Sequence, residues 1–165
     1  MKNTQKKSTV SALYLATAAI IAALYVLFTA LSAAFGLASG VIQVRLSEAL
    51  TILPFFTPAA VPGVTLGCFL ANLLTGAPLP DIIFGTLATF LGVLGASFLK
   101  KYRFLIALPT ILSNALIIPL VLQYAYGVPD AFWYLMLTVG AGEVISAGLL
   151  GILLLLALQK SRLFR

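Results

Sequence analysis

Residues 46–75 read LSEALTILPFFTPAAVPGVTLGCFLANLLT, and whether this stretch forms one helix or two decides the fold. Pro54, Pro58 and Pro62, the last followed directly by Gly63, argue against one straight helix. Each proline removes a backbone donor and drives its ring into the preceding turn. The stretch therefore reads as two short, proline-broken helices joined at residues 57–62. Around it lie four apolar blocks long enough to span a bilayer, residues 10–34, 81–99, 104–123 and 131–158. With six helices, the three basic clusters fall on one side: Lys2, Lys6 and Lys7; Lys100, Lys101 and Arg103; Lys160, Arg162 and Arg165. A single helix at 46–75 would send the second and third clusters to the other side, against the tendency of basic loops to stay cytoplasmic. The two short helices either cross as spans or form a re-entrant hairpin on the outer face; both give the same parity.

Composition agrees with a membrane protein. Of the 165 residues, 62% are hydrophobic and 8% charged, and mean hydropathy is +1.14. A soluble domain carries about a quarter charged residues. The chain reads as a single transmembrane domain, 1–165, an all-α integral membrane bundle of six helices with both termini in the cytoplasm. Such a length leaves no room for a soluble catalytic or nucleotide-binding domain. The net charge of +6 sits at helix ends, so anionic lipid head groups rather than nucleic acid are its counterparts. With no histidine and Cys68 as the single cysteine, imidazole or thiolate metal sites, disulfides and His-based catalysis are excluded or nearly so, and no cofactor is expected. Cys68 reads as a small packing residue.

Against this background the acids stand out. Glu143 is alone in the last apolar block, 13 residues beyond Asp130, hence about 20 Å from the outer end of its helix. An ionisable group at mid-membrane costs roughly 3 kcal/mol on insertion scales, so its default reading is functional; a structural acid bonded to a neighbouring helix is the alternative. Asn114 lies at similar depth between Pro109 and Pro119, either bridging helices or touching a ligand. Gln123 falls on the opposite face of an ideal helix from Asn114, so both line one site only if Pro119 bends the span. Asn72, near the outer end of the third helix, is a weaker candidate. Arg45 and Glu48 are three apart, close enough to pair or to share a ligand. Asp81 and Asp130 each follow a proline at a helix start and read first as caps. Tyr124, Tyr126, Trp133 and Tyr134 form an outer aromatic belt, some of which also cover a ligand. No charged or amide side chain lies in the inner half of any span, which describes an outward pocket over a sealed floor.

The first span carries a seam of small residues, Ala12, Ala16, Ala19, Ala23, Ala30 and Ala34, within a narrow helical arc. Small residues let backbones approach closely in lipid, so the seam packs inside the bundle or docks another protein. Gly85, Gly92 and Gly95 read as internal packing.

The run from Gln43 through Val44, Arg45, Leu46, Ser47, Glu48, Ala49 and Leu50, continuing to Pro54 and on to Asn72 and Gly76, resembles the QueT group. These are substrate-binding S-components of energy-coupling factor (ECF) transporters, associated with queuosine precursors. The resemblance implies a six-helix bundle of that type in the cell membrane, binding a micronutrient on its outer side under a lid formed by residues 35–44. It further implies that alanines of the first span dock on a transmembrane coupling subunit that carries two ATPases. The matching positions are Ala19 and Ala23, beside Ala16, with Ala18 and Ala22 as an alternative register. No ATP-binding motif is present, and no catalytic residue is expected. A 7-deazaguanine base suits Glu143 chemically, because its adjacent ring N–H and exocyclic amine can both donate to one carboxylate, with Asn114 serving the carbonyl edge. Glu48, Arg45, Gln43, Asn72, Gln123 and Trp133 complete the candidate site. Another small heteroaromatic nutrient is the runner-up ligand.

Overall fold

The computed structural model describes residues 2–37 and 42–161, with side chains from residue 11 onward. Part of the expected lid, residues 38–41, lies outside the described residues, as do Arg162 and Arg165. Six helices and no strand are found among the described residues. They are α1 (Lys2–Ala34), α2 (Leu46–Phe55), α3 (Ala60–Leu74), α4 (Asp81–Phe98), α5 (Leu108–Ala125) and α6 (Phe132–Lys160). Four of them, α1, α4, α5 and α6, are long and apolar enough to cross a membrane.

The stretch at 46–75 is indeed broken in two. Helix α2 has 10 residues and is wound as a 3₁₀ helix around Pro54, while α3 has 15. At 2.0 and 1.5 Å per residue each is about 20 Å long, well under the roughly 30 Å of a hydrocarbon core. The chain re-enters the core at Ala59 and Ala60, which are almost fully enclosed, while Pro58 in the turn before them is exposed.

Side-chain contacts give the direction of every helix. Ser32 accepts from the Leu46 amide at 2.8 Å, Thr29 donates to Ser47 at 2.9 Å and Tyr25 donates to Glu48, so α2 runs antiparallel to α1. Gly63 lies on Ala18 and Ile21, and Gly67 on Ala22 and Tyr25, so α3 turns back parallel to α1. Cys68 meets Thr89 at 3.4 Å and Asn72 meets the Asp81 carbonyl at 3.4 Å, which sets α4 antiparallel to α3. Gly92 against Thr110 and Gly95 against Pro109, then Ala115 near Gly140 and Asn114 bonded to Glu143, continue the alternation through α5 and α6. The start of α1, the turn holding Lys100, Lys101 and Arg103, and the end of α6 at Lys160 therefore share one end of the bundle.

Packing is inverted relative to a soluble protein. Leu13, Leu15, Ile20, Leu27, Leu74, Phe98, Leu137 and Leu149 are more than half exposed, whereas Glu48, Asn72, Asp81, Asn114, Glu143 and Ser146 are buried. Apolar side chains facing outward cost nothing in lipid, and Asn72, Asp81, Asn114 and Ser146 find partners within the bundle. The glycines of α4 serve internal packing: a Cβ at Gly92 would stand 2.7 Å from the Thr110 Cα, and one at Gly95 would stand 2.6 Å from the Pro109 Cβ. In α1 the two alanine registers separate. Ala18 and Ala22 are each 7% exposed and face α3, while Ala12, Ala16, Ala19, Ala23, Ala30 and Ala34 all face outward, uncovered by any described residue.

Candidate binding site

Helix α6 changes winding directly after Glu143, where a π-helical segment, Val144–Leu150, interrupts the α-helix. A second π-helical segment, Asp81–Gly85, opens α4. Such segments widen the turn and re-aim the side chains beside them. Asp81 and Gly85 of the second line one interior space, and the first begins directly after Glu143, which also lines it.

That space begins as a small polar cavity of about 30 Å³ lined by Gln43, Arg45, Glu48, Gly85, Thr89, Asn114, Ile118, Val139 and Glu143. Two larger clefts adjoin it toward the end opposite the basic clusters. One, of about 430 Å³, is lined by Gln43, Leu122, Val128, Asp130, Tyr134, Leu135, Thr138 and Val139. The other, of about 320 Å³, includes Gln43, Arg45, Asp81, Ile118 and Tyr126. Both volumes fall within the range of small-molecule pockets, about 300–1,000 Å³, whereas the inner cavity has room for about a single water. Gln43 borders all three spaces and so stands between the inner cavity and the clefts. Its carbonyl is pressed against Gly142, where no side chain would fit. One turn beyond the cavity, Ile52, Val93 and Ala147 are fully buried, and Leu155 closes the core below them. The cavity therefore has an apolar floor.

Asn114 and Glu143, 29 residues apart, meet here: the Asn114 amide donates to Glu143 Oε1 at 2.9 Å. This bond fixes the carboxylate and leaves Oε2 buried with no hydrogen-bond partner among the described residues. Glu48 is built in the same way. Tyr25 donates to its Oε1, Thr51 caps its carbonyl at 2.7 Å, and its Oε2 is likewise buried without a partner. Such groups are costly unless something else satisfies them. Arg45, partly buried, points into the inner cavity and the Asp81 cleft, and its backbone amide donates to Ser146 at 3.0 Å.

Other candidates lie elsewhere. Gln123 donates to the Asp130 carbonyl at 2.8 Å and ties the end of α5 to the loop that follows. Asn72 is buried between Cys68 and Asp81 on the α3–α4 seam. Trp133 is 69% exposed and lies edge-on to Phe132. None of the three lines the inner cavity. Neither α4 nor α6 begins with a side-chain capping bond, although Asp81 does lie in the first turn of α4, at its positive end. Asp81 instead accepts from Tyr126 at 2.8 Å. Partial burial and that carboxylate push the Tyr126 phenol up to about 12, so it remains a donor at neutral pH. Tyr25, Thr89, Ser146 and Asp81 are the site-forming residues that sequence reading passed over. A phenol inside an apolar span was the available signal for Tyr25; the other three resemble ordinary packing or capping residues.

A family profile described as QueT transporter matches residues 15–160. The Queuosine precursor transporter QueT of Lactococcus lactis subsp. cremoris (strain MG1363) is 40% identical over 82 residues, 47% of this chain and 48% of that protein. The aligned stretch thus spans about half the length of this curated relative. No solved structure gives a significant match.

Proposed function

Because this chain belongs to the QueT transporter family, we propose that it is the substrate-binding subunit of an ECF-type importer, capturing a 7-deazaguanine precursor of queuosine from outside the cell. The observation that carries the reading is the Glu143 carboxylate, held by Asn114 at the edge of a polar cavity with one oxygen uncommitted. A planar base in the adjoining clefts, with its donor edge turned inward, satisfies that oxygen through its ring N–H and exocyclic amine. Charge-assisted pairing of this kind supplies both affinity and orientation. The second amide hydrogen of Asn114 then faces the base carbonyl. Gln43 must yield for the edge to reach Glu143, which makes the segment before α2 the moving part, as a lid would be.

The apolar floor supports a binding subunit rather than an open channel, with transport requiring partners. The outward alanines Ala16, Ala19 and Ala23 support docking on a coupling subunit with two ATPases, whereas Ala18 and Ala22 are occupied by α3. In this reading the basic end of the bundle is cytoplasmic and the clefts open outward, as expected of basic loops. The absence of a clustered nucleophile and base in the cavity speaks against an intramembrane enzyme. The test is equilibrium binding of 7-cyano- and 7-aminomethyl-7-deazaguanine by the purified chain alone. Saturable binding without ATP or partner subunits is expected. A folded chain that binds neither overturns the assignment.

A further inference from the structure

All four acidic residues of the chain border the cavity and its clefts: Glu48 and Glu143 in the inner cavity, Asp81 and Asp130 in the clefts. Among the basic residues whose side chains are described, Arg45 is the one that lines these spaces. Ionised, this side of the molecule carries an excess of negative charge, while Lys100, Lys101, Arg103 and Lys160 lie at the other end. Such an arrangement draws cations toward the cavity and repels anions.

The commitments of the acids differ. Asp81 is held by Tyr126, and Asp130 is exposed at the rim of its cleft. Glu143 already serves the donor edge of the base. Glu48 is 2% exposed, borders the inner cavity, and keeps one oxygen without a partner among the described residues. A neutral base leaves Glu48 Oε2 without a donor, beyond the Tyr25 bond to Oε1 and the nearby Arg45. Arg45 can offset one negative charge, and the others remain.

We propose that Glu48 receives a protonated amine on the ligand, so that the site selects a 7-deazaguanine whose 7-substituent carries an ammonium group over neutral analogues. The donor edge and the 7-substituent lie on different edges of the bicyclic ring, so a single carboxylate cannot serve both. Here two carboxylates arrive from different helices, Glu48 from α2 and Glu143 from α6. Asp81 and Asp130 supply negative potential along the approach. The proposal rests on the reading of the ligand as a 7-deazaguanine.

The experiment compares binding of 7-aminomethyl-, 7-hydroxymethyl- and 7-cyano-7-deazaguanine by the purified chain. The hydroxymethyl compound matches the amine in size and lacks its charge. The parent protein should bind the amine at least about 30-fold more tightly than the hydroxymethyl compound, the lower end for a desolvated charge pair. In Glu48→Gln, which keeps an acceptor for Tyr25, the amine should weaken until that ratio is within about threefold. Neutral analogues bound as well as the amine by the parent overturn the ammonium site and leave the ligand class standing. Equal weakening of all three in Glu48→Gln also overturns it, assigning Glu48 to the shared base or to the fold. Binding of none of the three overturns both readings. The parent ratio needs no variant, so a ratio near one overturns the proposal even if Glu48→Gln does not fold.

Discussion

Replacing Glu143 by glutamine isolates the carboxylate's second oxygen as a source of affinity. In the parent, Oε1 accepts from Asn114 at 2.9 Å and Oε2 is buried without a partner among the described residues. The glutamine carbonyl can keep the Asn114 bond, which puts its amide group where Oε2 was. Two donors, the amide and the base edge, then face each other in a site 8% exposed at Glu143. Loss of one side of a buried charged pair costs about 2–5 kcal/mol, equivalent to roughly 30- to several-thousand-fold in Kd. The same change removes an unpaired buried charge from the unliganded protein, so thermal stability without ligand should hold or rise. Calorimetric titration of parent and Glu143→Gln with a 7-deazaguanine, and with its analogue lacking the exocyclic amine, measures the coupling. The analogue should lose much less affinity in the variant than in the parent, since both changes delete one contact. Near-parental affinity in a folded Glu143→Gln protein would refute the role given to this carboxylate.

Two further predictions concern orientation and docking. In right-side-out vesicles, cysteines placed near Lys101 and after Arg165 should resist an impermeant thiol reagent while one near Gly127 reacts; labelling at 101 contradicts a cytoplasmic basic end. Enlarging Ala19 or Ala23 to leucine should abolish transport yet preserve ligand binding by the isolated chain, because both face outward. Ala22→Leu should instead lower stability by about 1–3 kcal/mol, since the two helices approach so closely here that a Cβ on Gly67 of α3 would stand 3.0 Å from the Ala22 Cα. Identical behaviour of the two registers in a melting assay contradicts that division.

Much of the architecture was legible in the sequence, because the bilayer imposes one-dimensional rules. Apolar block length, proline placement and basic clusters are properties of consecutive residues. They led to six helices, a break between Pro54 and Pro62, and one shared basic end. Glu143 and Asn114 were legible as candidates for the same reason: polar groups in long apolar helices are conspicuous wherever the chain later takes them.

Partnership was not legible. The 2.9 Å bond between Asn114 and Glu143 depends on how α5 and α6 pack, and the Glu48 bond to Tyr25 on α2 running down α1. Asp81 reads locally as a cap until the loop after α5 brings Tyr126 to it. Gln123, Asn72 and Trp133 are polar or aromatic residues at suitable depths, yet their neighbours turn them away from the inner cavity. The alanines make the division plainest. A period of 3.6 residues generates both registers on one helix, and nothing in the helix itself says which one a neighbour will cover. Sequence alone determined that α1 has two small-residue faces; the approach of Gly63 and Gly67 on α3 decided that Ala18 and Ala22 are buried and Ala19 and Ala23 left free.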